Sequence, residues 1–311
     1  MTAELLQVVL SPWALGLYGL AIGSFLNVVA YRLPAMMERQ WWSDVALQLG
    51  DGDSWQRTFG STTPAPGAAP ALSADLRTRL EAIEPLSLSR PASRCPHCRT
   101  PIAWRHNVPV LGWLGLRGRC AHCRAAISPR YPIVEALTGL VFAAIGWRFG
   151  AQPVALMWCG FAAVLIALSL IDWDTTLLPD GLTMPLLWAG LVAAVLGVSG
   201  TSLRDAVLGA VAGYGSLWTV YWAFKLVTGK EGMGQGDFKL LGALGAWLGW
   251  TMVLPIALAA SVVGAVVGLG MKATGALREG RYVPFGPFLA AGGLAVLLAG
   301  PSRVLAWMGW A

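Results

Sequence analysis

Two sets of residues in this sequence have the types and spacing to do chemistry. The first is a pair of cysteine pairs. Cys95-Pro-His-Cys98 and Cys120-Ala-His-Cys123 are separated by 21 residues. Each C-x2-C pair can hold one side of a tetrahedron, and four thiolates close it, so the spacing predicts a zinc site. A site closed by Cys95, Cys98, Cys120 and Cys123 has no position for water, which makes it structural rather than catalytic. His97 and His122 lie inside the pairs and read as exposed spacers. Cys159 stands alone in an apolar stretch, where a thiol packs like a small hydrophobe. The second set is acidic. Glu135, Asp172, Asp174, Asp180, Asp205 and Asp237 lie in or beside strongly apolar stretches, where carboxylates are costly and usually functional.

The elements that position these groups follow from composition. The chain has 311 residues, 56% hydrophobic and only 12% charged, about half the charge of a soluble domain. Residues 5–31, 149–171, 181–203, 206–224, 240–271 and 282–302 contain no Lys, Arg, Asp or Glu. A membrane-spanning helix needs about 20 mainly apolar residues, and Trp13, Trp147, Trp250 and Trp307 sit near run ends, as interfacial aromatics do. The fold class is therefore an all-α polytopic membrane protein with about eight transmembrane helices and a cytoplasmic zinc-binding loop domain. Residues 1–31 form the first transmembrane helix. With Glu4 as its only early charge, this run lacks the basic start of a cleaved signal peptide and reads as retained.

Residues 32–131 form the loop domain. From Arg32 to Arg130 the chain carries 13 Arg, no Lys and 7 acidic residues. Basic loops stay on the cytoplasmic side, where thiols stay reduced and available to metal. The basic excess also suits anionic lipid or an acidic partner. Residues 60–73, GSTTPAPGAAPALS, read as a flexible link. A basic zinc loop also raises nucleic acid as a partner, but there is no array of aromatic residues for base stacking, so no nucleic-acid partner is expected.

Residues 132–311 form a seven-helix membrane catalytic domain. Its helices run near 132–149, 152–171, 181–199 and 205–224. The 32 apolar residues 240–271 then split in two near Trp250–Pro255, and a last helix follows Arg281. Splitting them leaves only Arg148, Arg204 and Arg303 as outside basic residues, with the N-terminus outside. This topology puts Asp172, at the end of the third helix, and Asp237, at the start of the sixth, at one depth on the cytoplasmic side. Two carboxyls sharing a site hold one proton between them, so one can activate water while the other donates a proton. Glycines before Asp237, in Gly234-Gln-Gly236, let a substrate backbone come close. Asp180 and Asp205 read as helix N-caps and Asp174 as a solvated loop residue. A phosphate-binding loop is excluded, because G-x-x-x-x-G-K-[ST] is absent. From the residues alone, a membrane protease and a proton-coupled carrier both remain open.

A series of motifs resembles the type IV prepilin peptidase family, also called leader peptidase/N-methyltransferase, a group of GxGD membrane aspartic proteases. It runs from Gly23-Ser-Phe-Leu-Asn-Val-Val29 and Tyr31-Arg-Leu-Pro34 through the two cysteine pairs, with Asn107-Val-Pro109 between them. Ser128-Pro-Arg-Tyr-Pro-Ile-Val-Glu135 follows, then Asp172 with Leu178-Pro-Asp180. Gly232-Met-Gly-Gln-Gly-Asp237-Phe-Lys239 and Pro284-Phe-Gly-Pro-Phe-Leu-Ala290 close it. The order is kept over nearly the whole chain, and is weakest across residues 40–89. The resemblance implies a bifunctional enzyme in the bacterial inner membrane, its active site near the cytoplasmic face. Such an enzyme cuts the basic leader of type IV prepilins and type II secretion pseudopilins after a Gly. It then methylates the new N-terminal residue with S-adenosylmethionine. The resemblance assigns the catalytic roles to Asp172, seven residues before the Pro of the LPD turn, and to Asp237 of GxGD. It carries the four cysteines over as a zinc site. No residues for the methyl donor are singled out, although Glu135 and Lys239 lie near the helix ends concerned.

Overall fold

The computed structural model describes residues 3–60, 66–275 and 283–310. Among them no strand is present, only helices, turns and two isolated β-bridges. A short helix α1 (Ala3–Val9) precedes α2 (Pro12–Gly50). Ser11 caps α2, its Oγ accepting the Ala14 N–H at 3.3 Å, and Pro12 takes the first turn, where a missing N–H costs nothing.

The length of α2 corrects two expectations. At 39 residues it is about 58 Å long, twice the hydrocarbon thickness, so the first helix does not stop at residue 31. Residues 35–50 carry good helix formers, Met, Glu, Arg, Gln, Ala and Leu, and continue the helix into solvent. Then come α3 (Gly52–Phe59) and α4 (Ala69–Glu81), which folds back onto the projecting part of α2. Ser73 Oγ donates to Ala46 O at 2.6 Å, across the two helices. The link expected over residues 60–73 is therefore helical from Ala69 onward, and its residues 61–65 lie outside the described residues. Leu72 and the alanines at 69, 71 and 74 overrode the Pro-rich reading by helix propensity.

After the cysteine region, which contains α5 (Leu111–Gly115), the membrane body begins. It consists of α6 (Arg130–Phe149), α7 (Pro153–Thr175), α8 (Asp180–Val195), α9 (Leu203–Thr228), α10 (Gln235–Leu248), α11 (Val253–Ala273), α12 (Gly286–Ala299) and α13 (Pro301–Trp307). The chain between α10 and α11 breaks at Gly249, whose φ of 86° suits glycine, and at a 3-10 turn over Trp250–Met252. By length and apolarity α2, α6, α7 and the Trp250–Ala273 segment can each cross a membrane; α12 with α13, bent by 101°, is a possible fifth. Helix α8 is apolar but has 16 residues. The eight expected crossings are thus not all matched by long apolar helices. Arg281, after which the last helix is expected, lies outside the described residues.

Helices pack where side chains vanish. A Cβ on Gly19 of α2 would come 2.7 Å from Thr138 O of α6, and one on Gly23 would come 2.7 Å from Glu135 Cα. Small residues let membrane helices approach closely, and α2 with α6 forms the broadest contact in the fold. The largely aliphatic core of the body holds an aromatic cluster. Trp158 and Phe161 of α7 meet Trp247 of α10, with centroids 5.1 and 5.0 Å away, and Trp247 Nε1 donates to Leu186 O at 2.8 Å. Cys159 is buried in this core, as a packing residue.

Candidate active site and metal centre

The end of α7 carries Asp172. One turn later the helix closes on Thr176, in the left-handed region at φ 56°, its N–H donating to Asp172 O at 2.8 Å. The chain then turns through Leu177-Leu178-Pro179 into α8. Asp237 sits in the first turn of α10, after the extended Gly234, where the positive end of the helix dipole favours a carboxylate. Both side chains are buried, Asp172 at 4% and Asp237 at 7% exposure, and they are near enough to interact electrostatically. Neither forms a salt bridge among the described residues. The two segments come together over Leu178, because Gly236 and Gly286 both present bare backbone to it. A Cβ on Gly236 would lie 2.7 Å from Leu178 Cβ, and one on Gly286 3.2 Å from Leu178 Cδ1.

Gly286 opens α12 and is the residue that sequence reasoning missed. Its N–H donates to Asp172 Oδ2 at 3.0 Å. A Cβ there would lie 2.6 Å from the same oxygen, so any larger residue would displace the carboxylate. The signal was present in Pro284-Phe-Gly-Pro-Phe, but nothing local says that its amide meets a carboxylate 114 positions earlier.

The remaining acids have partners. Asp174 is helical rather than a loop residue, and pairs with Arg130 of α6 at 2.7 Å. Asp180 is not an N-cap. Pro179 holds that position, and Asp180, the first residue of α8, pairs with Lys239 of α10 at 2.7 Å. Asp205 is not a cap either. Ser202 caps α9, accepting the Asp205 N–H at 3.1 Å while its hydroxyl donates to Asp205 Oδ2 at 2.7 Å. The serine thus caps the helix, and Asp205 holds the serine hydroxyl in place. Glu135 is buried and accepts the Val110 N–H at 2.6 Å.

The four cysteines meet as the spacing requires. Their sulfurs lie within 4.8 Å of one another. Each pair sits in the same kind of turn. Cys95 N–H donates to Thr100 O at 3.0 Å and Cys120 N–H to Ala125 O at 2.8 Å. Arg99 and Arg124 follow the second cysteine of each pair with φ of 57° and 61°. The Cys98 thiol is lowered to about 6 by the side-chain and then the backbone hydrogen bond of Thr100. His97 and His122 are exposed and outside the cluster. Four sulfurs at this spacing can hold a metal ion.

The fold and its two centres define a class: an all-helical membrane protein with two buried carboxylates and a cluster of four cysteines that could hold a metal ion. Residues 17–149 match the family described as bacterial peptidase A24 N-terminal domain, and residues 159–269 match the type IV leader peptidase family. The prepilin leader peptidase/N-methyltransferase of Aeromonas hydrophila is 47% identical over 291 residues, covering 92% of this chain and 90% of that protein. The proteins of the same name from Burkholderia pseudomallei (strain 1026b) and Stutzerimonas stutzeri are 46% and 45% identical. They cover 91% and 94% of this chain, and the alignments span 83% and 92% of those proteins. The chain belongs to the type IV leader peptidase family. No solved structure matches it.

Proposed function

We propose that this chain cuts the basic leader from type IV prepilins and type II secretion pseudopilins after a Gly, with Asp172 and Asp237 as its catalytic pair, and then methylates the new N-terminus. The observation that carries the reading is the burial of both carboxylates, from distant parts of the chain whose segments meet over Leu178, with no basic partner for either among the described residues. Every other acid considered has a hydrogen-bond or ion-pair partner that accounts for it. The names of the relatives point to the same two activities.

The chemistry follows from the pair. The ionised member takes a proton from water as the oxygen attacks the scissile carbonyl. The protonated member donates to the departing nitrogen as the C–N bond breaks. Gly286 N–H fixes the angle of Asp172, and the bare Gly234 leaves room for an extended backbone beside Asp237. Bound S-adenosylmethionine would supply the methyl group, which the new α-amine takes as its N–C bond forms, a C–S bond breaks and a proton leaves. The cysteine cluster holds zinc, in a structural role suited to a donor set of four sulfurs.

The orientation belongs to this reading too. The chain crosses the bacterial inner membrane about eight times, with lipid around α2 and α6–α12 and the basic cysteine region in the cytoplasm, where the leader of an uncut pilin would be. The test is purified protein incubated with a prepilin, with and without labelled S-adenosylmethionine. A shortened pilin and label on it are expected; an uncut pilin would sink the proposal.

A further inference from the structure

Glu135 is the one buried acid in the described chain that the cleavage chemistry does not use. It is 8% exposed, at the seam where Gly23 of α2 touches its Cα. Asn27 reinforces that seam, its Nδ2 donating to Gly23 O at 3.2 Å and to Tyr131 O at 3.3 Å. From there Glu135 reaches out of the bundle to the Val110 N–H, at 2.6 Å. Val110 stands at φ 59°, ψ −52°, a conformation that strains a β-branched residue and persists only when its surroundings hold it. It leads into α5, which lies between the two cysteine pairs and is tied to the second by Trp113 Nε1 donating to Ile127 O at 3.1 Å. A buried carboxylate of the membrane body thus grips a strained turn of the cysteine subdomain.

The contacts that assemble the carboxylate pair come from α7, the turn before α8, α10 and α12, and the cysteine subdomain contributes none of those described above. What the subdomain does for the enzyme must therefore lie elsewhere than in holding those two aspartates. We infer that Glu135 is a positioning residue that docks the cysteine subdomain on the membrane body, and that methyl transfer, rather than leader cleavage, depends on this docking. The inference rests on the two-reaction reading above.

Glu135→Ala removes the acceptor and leaves a strained, unpaired amide. Its metal content should match wild type, because no cysteine is touched. Cleavage of full-length prepilin should stay within about twofold, whereas methyl transfer to a pre-cut pilin should fall roughly tenfold or more, chiefly in kcat. Trypsin should cut at Arg99, Arg105 or Arg117 faster than in wild type, a readout independent of either activity. Glu135→Gln keeps an acceptor oxygen and should restore most of the methyl transfer. If the alanine variant fails to accumulate, Glu135→Asp, one methylene short of Val110, should show the same split. Unchanged methyl transfer in the alanine or aspartate variant, or equal loss of both reactions, would overturn the inference. A wild-type protein that neither cuts nor methylates would overturn the reading beneath it, and that result is visible before any variant is made.

Discussion

The carboxylate junction and the cysteine cluster differ in how far their parts travel to meet. The cluster draws its ligands from Cys95 to Cys123, and each pair is shaped by hydrogen bonds inside its own turn. The junction joins Asp172, Leu178, Asp237 and Gly286, residues more than a hundred positions apart at the extremes, and its shape is held by helix packing. One is a local structure beside the bundle; the other is a product of the whole bundle. A local site tolerates a poorly placed body, and a distributed site does not.

That contrast can be broken or sharpened by substitution. The largest effect is expected at the junction. Asp172→Asn and Asp237→Asn should each lower leader cleavage about a thousandfold, while insertion into membranes persists. Asp174→Asn and Asp180→Asn should cost far less. Wild-type cleavage by Asp237→Asn would remove the junction from the chemistry altogether. Gly286→Ala comes next. Its added methyl would push against Asp172 Oδ2, and a displacement on the order of 1 Å costs about a hundredfold in rate; an unaffected kcat would show that the carboxylate adjusts freely.

A smaller loss of cleavage is expected at the cluster. Cys98→Ser should lower bound zinc from about one equivalent per chain and expose the turns to proteolysis, with methylation hurt more than cutting. Metal analysis of the wild-type protein finding no bound ion would refute the cluster as a metal centre. The smallest effect is set at Ser202, far along the chain from either site. Ser202→Ala removes the cap of α9 and should cost about 1 kcal/mol of stability with cleavage unchanged. A measured loss of cleavage there would mean that the junction senses even remote helix ends.

The same contrast explains what could be read from sequence. The cluster was legible because its spacing is its geometry. The aspartates were legible as candidates, but choosing Asp172 over Asp174, two positions later on the same helix end, needed the resemblance. Composition alone kept a carrier in play. Gly286 was hidden, since an amide bonded to a residue 114 positions away leaves no local trace. Charge misled at α2, because Arg32 ends the apolar run without ending the helix, which continues through Glu38, Arg39 and Asp44. At α9, Ser202 and Asp205 are both good cap residues, and only geometry shows that Ser202 holds the position while Asp205 accepts from its hydroxyl.

The unbroken α2 has a mechanical consequence. Of its 58 Å or so, about 28 Å project beyond a bilayer core, and α4 lies along that projection like a splint. Arg32, near the point of exit, grips the carbonyls of Ser87, Leu88 and Pro91 at 2.9, 3.4 and 2.7 Å, just ahead of Cys95. Pro34 follows at once and removes a rung of the helical ladder there. The helix is thus a lever with its fulcrum at the membrane surface. A swing of about 10° on an arm of that length moves its tip by about 5 Å. A lipid that tilts the first span would therefore be felt at the far end of α2 as a displacement wider than a water molecule.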